Sequence, residues 1–355
     1  MRPLFQARLV NGTNGDPALY IDFEFRRRAL LFDLGDITTL APRHVLRLTD
    51  IFVSHAHMDH FIGFDRVLRL MLGRARHLRL YGPPGFLDRV THRVLGYTWN
   101  LVENYPVELV IEAAELESDG TVRRAAFRSR NRFARTELEP AVAREGVLLD
   151  EEDFRVRAAH LDHSIPCLGF ALEEKAHLNV WKSRLDELGL PTGPWLNELK
   201  RLARRDAPDD TPLNISWNDR DGEHRKVRPL GMLRREILRE VPGRTIAYVV
   251  DVAFHERNQR AITRLAHGAD LFYVEAPFLN EASARAAATA HLTAGQAGRL
   301  ARAAAVKRVI PFHFSPRHTG EEHRLETQVQ DAFANSGADP VGATVASPPV
   351  SCRGT

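Results

Sequence analysis

One hexapeptide restricts what this chain can fold into more than any other stretch: His55-Ala56-His57-Met58-Asp59-His60, placed directly after the run Ile51-Phe52-Val53-Ser54. In an extended segment residues two apart point the same way, so His55 and His57 can grip one metal ion. Asp59 and His60, where the chain turns toward the next helix, can face a second. Imidazole and carboxylate without thiolate suit Zn²⁺, with Mn²⁺, Fe²⁺ and Co²⁺ as alternatives. Cysteine does not compete for the role. Cys167 and Cys352 are too few for a disulfide framework or a cysteine-rich zinc module, and this usage suits a reducing compartment.

Four ligands in one loop cannot complete two coordination spheres, so others should lie at further strand ends. Three candidates do: His163 follows FRVRAAH, Asp251 ends TIAYVVD and His313 ends RVIPFH. Short apolar or alternating segments at 29–33, 51–55, 154–160, 245–251, 271–275 and 308–313 read as buried strands. Helical patterns fill 64–72, 258–267, 293–305 and 319–333, the last opened by Thr319 and Glu322 at capping-box spacing. Strands alternating with helices predict an α/β or α+β core, a sheet layered with helices. Ligands at the same end of several strands then converge in space.

Two segments stand apart. From 176 to 212 helical periodicity is broken by GLPTGP and closed by a Pro/Asp-rich loop, which predicts an inserted helical arm rather than a second core. The stretch GTVRRAAFRSRNRFAR, holding Arg123 to Arg135, reads as an exposed strand edge or loop. Lys and Arg number 49 against 46 Asp and Glu, a net charge of +3, so an anionic partner must be met by such local clusters. No stretch approaches the roughly 20 apolar residues of a membrane span, and MRPLFQARLV lacks a secretory pattern; a cytoplasmic protein without membrane contact is expected.

His55, His57, Asp59 and His60, with the spaced His163, Asp251 and His313, resemble the metallo-β-lactamase superfamily. HSIPCLGF (163–170), AHLTAGQAG (290–298) and HFSPR (313–317) resemble motifs of its tRNA 3′-processing branch, ribonuclease Z. GLPTGPW followed by LNELK (189–200) resembles the Gly-Pro arm by which that family clamps tRNA. The likeness runs from about Asn11 to Thr319, with Val250 and Val252 flanking Asp251 where Gly and Thr are usual, and His318 in place of Tyr.

The resemblance implies a single α+β domain over 1–355, an αββα sandwich with two zinc ions at one sheet edge, usually in a homodimer. Carried over by position, one zinc falls to His55, His57 and His163, the other to Asp59, His60 and His313, with Asp251 bridging. Asp59 is expected to orient the attacking water, His291 to protonate the leaving 3′-oxygen, Arg317 to hold the phosphate and Asp33 to orient a ligand histidine. The arm offers Trp181, Lys182, Arg184, Trp195, Lys200, Arg201, Arg204 and Arg205, with Gly193, Pro194, Lys200 and Arg201 the expected contacts to precursor tRNA. The residues alone also admit a hydrolase of a small phosphodiester or cyclic nucleotide, or a non-catalytic RNA-binding homologue.

Overall fold

The segment Leu48–Phe52, which delivers the histidine run, lies fourth in a sheet whose eight strands follow chain order: Phe5–Leu9, Leu19–Phe23, Ala29–Phe32, Leu48–Phe52, Arg76–Gly82, Leu109–Leu116, Thr121–Arg128 and Arg135–Val142. The four central strands are parallel and the outer ones antiparallel. This is a computed structural model that describes residues 4–335 except 25, 220 and 221; Cys352 lies outside the described residues. A second sheet has the order Val309–Phe312, Leu271–Glu275, Thr245–Val249, Pro166–Glu174, Phe154–Asp162, Val147–Asp150.

The two sheets face each other across one apolar layer, in which Phe32, Phe52, Phe170 and Tyr248 are fully buried. Outside the first sheet, Phe64–Met71 presents Phe64, Val67, Leu68 and Met71 to the core, a spacing that lines one helix face. Outside the second lie Glu256–Leu265, Ala294–Ala303 and Glu322–Ala334. Ala294–Ala303 and Glu322–Ala334 pack so closely that a Cβ on Gly298 would fall 2.3 Å from the Val329 carbonyl. The molecule is an αββα sandwich of the α+β class. Among the described residues no helix is long and apolar enough to cross a membrane.

Two local expectations change. The capping box is not at Thr319, whose hydroxyl donates to the Pro316 carbonyl ahead of a helix that starts at Glu322. It is at Thr293, whose side chain and that of Gln296 satisfy each other's backbone N–H. The arginine-rich stretch is part strand and part loop: Thr121–Arg128 pairs on both sides and is no edge, while 129–134 forms the expected, mostly exposed connection. Arg123, Arg124 and Arg128 pair with Glu115, Glu112 and Glu108, Arg132 with Glu103, and Arg135 with Asp88 and Glu137.

The insertion is larger than a helical arm. It runs through His177–Val180, Lys182–Glu187, Trp195–Arg204, the hairpin Pro212–Asp219 and Gly222–Pro229, Leu230–Ile237 and Leu238–Val241. His177–Val180 and Leu238–Val241 pair as a two-stranded stalk. Leu185, Trp195, Leu199, Ile215, Leu233 and Ile237 enclose a core of its own. A boundary at Pro212 would divide that core in two.

Candidate metal centre

Four strands of two sheets end at one edge of the sandwich, and each hands over to a loop that carries a candidate ligand. Leu48–Phe52 leads into His55 and His57, and the short helix Met58–Phe61 holds Asp59 and His60. Phe154–Asp162 leads to His163, Thr245–Val249 to Asp251 and Val309–Phe312 to His313. Asp33, Ser164, Asp251, Ala290 and His313 have φ between 49° and 61°, the left-handed region that non-glycine residues avoid. Five such residues around one cleft mark backbone strain held in place by its surroundings.

Asp251 is the centre of the cluster. Its Oδ2 lies 3.2 Å from His60 Nε2, 3.5 Å from His55 Nε2 and 3.6 Å from His163 Nε2, and its Oδ1 lies 3.1 Å from His313 Nε2. The ligating atoms of His55, His57, His163 and Asp251 fall within 4.8 Å of one another, as do those of Asp59, His60, Asp251 and His313. His55 Nε2, His60 Nε2 and Asp251 Oδ1 are buried without a hydrogen-bond partner. Buried polar atoms are costly to leave unpaired, and three aimed into one cleft fit divalent cations.

The electrostatics agree. Burial drives His55 down to about 2, aided by the neighbouring His60, so its ring is neutral. Burial also opposes charge on His60 and His313, yet Asp251, joined at His60 by Asp33, raises both. Burial alone would raise Asp251; His313 and His60 carry it well below the ordinary carboxylate range.

Asp33 is wholly buried, and its Oδ2 takes hydrogen bonds from His60 Nδ1 at 2.9 Å, Ser54 Oγ at 2.9 Å and Tyr248 OH at 2.8 Å. The Nδ1 bond turns His60 Nε2 toward Asp251, the usual way an outer carboxylate fixes a ligand imidazole. His291 is held in the same manner, with Nδ1 2.7 Å from Glu275 Oε2 and 3.7 Å from Asp251 Oδ1. Burial lowers the His291 pKa, but Glu275 overrides it and raises the value to about 9. Glu275, Tyr248 and Ser54 were not among the sequence candidates. A carboxylate closing the apolar strand Leu271–Glu275 was the available signal, because such a group must find partners when buried.

Arg317 is exposed on the turn Pro316–His318, four residues past His313. Gly193 and Pro194 open the helix Trp195–Arg204. Trp195 is buried with Nε1 donating to the Pro191 carbonyl, so it seals the insertion's core rather than meeting a ligand. Trp181 is 45% exposed, with the Arg239 guanidinium 4.3 Å over its ring. Lys200, Arg201, Arg204, Arg205 and Lys175 line a cleft of about 970 Å³ between insertion and body, in which Glu152 pairs with Arg204. Burial, then Arg204, lowers the Lys200 pKa.

An αββα sandwich with clustered imidazoles and carboxylates at one edge defines the metallo-β-lactamase fold. The metallo-β-lactamase fold protein YhfI from Bacillus subtilis superposes with a TM-score of 0.53 over 93% of both chains at 12% identity. No protein-family profile matches the chain. Ribonuclease Z of Deinococcus radiodurans is 31% identical over 90% of this chain and 93% of its own length. That of Thermobifida fusca is 30% identical over 82% and 77%. The chain belongs to the ribonuclease Z family and is a metal-dependent hydrolase.

Proposed function

We propose that this protein is an endoribonuclease that removes the 3′ trailer from precursor tRNA, with two divalent ions, zinc by preference over manganese, iron or cobalt. The observation that carries the reading is the convergence of six candidate ligand side chains on a seventh, Asp251, with the Glu275–His291 pair beside them. Two cations at these residues supply, when bound, a water acidic enough to attack a phosphodiester and positive charge against the attacked phosphoryl oxygens.

In this reading His55, His57 and His163 would hold one ion and Asp59, His60 and His313 the other, with Asp251 the residue available to both. Asp59 also orients the attacking water. His291, kept protonated by Glu275, gives its proton to the leaving 3′-oxygen, and Arg317 steadies the phosphate.

The insertion favours a macromolecular substrate. It leaves from Glu174, the far end of Pro166–Glu174, whose other end adjoins His163. At about 3.3 Å per residue a nine-residue strand spans about 30 Å. A folded RNA bridges that distance, and a small phosphodiester does not. Gly193, Pro194, Lys200 and Arg201 are the proposed contacts to the tRNA body, and a homodimer in the cytoplasm completes the proposal. The exposed Leu95, Tyr97 and Leu101 offer apolar area for such a contact between copies.

Cleavage of a precursor tRNA transcript, compared with hydrolysis of bis(p-nitrophenyl) phosphate by the same zinc-loaded protein, tests the reading. Release of the trailer with a 3′-hydroxyl on the tRNA is expected. Hydrolysis of the small ester alone would reassign the enzyme to small phosphodiesters, and binding without cleavage of either would make it an RNA-binding homologue.

A further inference from the structure

Beside the exposed ring of His57 the surface carries two adjoining depressions, of about 350 and 250 Å³, which share Ala56, His57 and Arg89. One is floored by Pro84, Phe86 and Ile165, the other by Phe61 under Met58 and Ile62. Met58 is 77% exposed, Ile62 43% and Ile165 36%. Met58 and Ile62 are four positions apart, so they share one face of the short helix Met58–Phe61 and its cap. Contiguous apolar side chains facing water next to a reactive site mark a surface built for contact.

The charge at this shelf is selective. Arg93 is engaged by Asp65 at 3.0 Å, whereas among the described residues Arg89 meets no carboxylate within 4 Å. An apolar shelf with a free guanidinium at its rim suits a nucleotide: the planar base lies on the shelf and the phosphate meets the arginine. The shelf also has a side. The His163 ring lies 5.5 Å from His57 and 4.8 Å from His291, and His57 lines both depressions while His291 lines neither, so the shelf sits at the His57 end of the cleft and apart from the proposed proton donor. His291 serves the 3′-oxygen that stays with the tRNA body, so the shelf faces the fragment that departs with the 5′-phosphate.

Resting on the endonuclease reading above, we infer that Met58, Ile62 and Ile165 form a stacking shelf for the base of the first trailer nucleotide, with Arg89 against the phosphate that follows it. Apolar contact with aliphatic side chains makes no hydrogen bond to a base edge and accepts any base, so the shelf measures the presence of a base and not its identity.

The test compares two precursor tRNAs, one with a base and one with an abasic residue at the first trailer position, bound to metal-free protein and scored by filter retention. The parent should bind the base-bearing RNA roughly tenfold more tightly, the order expected when one base face covers apolar side chains. A Met58→Ser/Ile62→Ser double variant should reduce the preference to less than about twofold. Arg89→Ala should weaken both RNAs equally and lower the salt slope by about 1. Equal binding of the two RNAs by the parent, or a preference that survives in the double variant, would overturn the shelf. A double variant that sediments differently from the parent while keeping the preference would reassign the surface to contact between copies. An intact preference in a zinc-loaded parent that cleaves neither RNA would support the shelf and overturn the endonuclease reading instead.

Discussion

The carboxylate of Glu275, fully enclosed at the end of its strand, lies 2.7 Å from His291 Nδ1 through Oε2, while Oε1 accepts from the backbone N–H groups of Val252 and Leu292. One side chain thereby ties together the loop after Asp251, the loop that carries His291, and the charge on the His291 ring. Few positions outside the ligands have as much authority over the cleft.

Glu275→Gln keeps the shape but removes the charge that holds a proton on His291. With precursor tRNA the chemical step should slow by roughly 10²- to 10⁴-fold, the range for a lost general acid, while KM changes little. With bis(p-nitrophenyl) phosphate, whose leaving group needs no proton, the loss should be much smaller. Single-turnover rates on the two substrates decide it; equal losses would show that Glu275 acts on the scaffold and not through His291.

Asp33→Asn leaves His60 Nδ1 without its carboxylate, and Ser54 and Tyr248 without an acceptor of full charge. Outer-carboxylate losses of this kind cost about 10- to 100-fold in metal affinity. Competition with a chromophoric chelator should show the weaker of two sites affected most. Unchanged affinity at both would remove Asp33 from the centre.

How far the sequence reveals this site depends on the distance over which each signal acts. The run His55 to His60 is local and legible at once, and His163, Asp251 and His313 are legible because each ends an apolar strand. Glu275 and Tyr248 are not, because their role comes from partners 16 and 215 residues away. The arginine-rich stretch misleads for the same reason: Glu108, Glu112 and Glu115 neutralise it from the neighbouring strand, in a register no local pattern displays. The helical arm is foreseeable only to Pro212, since Leu213, Ile215, Leu230 and Leu233 belong to its core through packing and not through periodicity.

That cross-strand pairing predicts a silent variant. Arg124 is engaged by Glu112 on the adjacent strand, so Arg124→Ala should leave both the affinity for precursor tRNA and its salt slope within error. A slope lowered by about 1 would mean that this arginine meets phosphate after all.

The insertion can be excised whole because its ends meet: Glu174 accepts the Arg244 N–H through its carboxylate and donates its own N–H to the Arg244 carbonyl. Replacing 177–241 by a short Gly/Ser turn should weaken binding of precursor tRNA and flatten its salt dependence, by about 1 in slope for every phosphate the insertion had neutralised. Hydrolysis of bis(p-nitrophenyl) phosphate should continue. Tight binding by the excised protein would place the tRNA-binding surface elsewhere. Excision that stopped at Pro208 would expose Leu213, Ile215 and Leu233 and test solubility instead.

Metal content by elemental analysis measures most directly whether two cations share Asp251. Zinc-loaded parent protein, freed of loose metal by gel filtration, should carry two zinc ions per chain, and Asp251→Ala should carry less than one. A parent with fewer than about one ion per chain that gains none on zinc addition would contradict the dinuclear centre, as would an Asp251→Ala variant that still holds two.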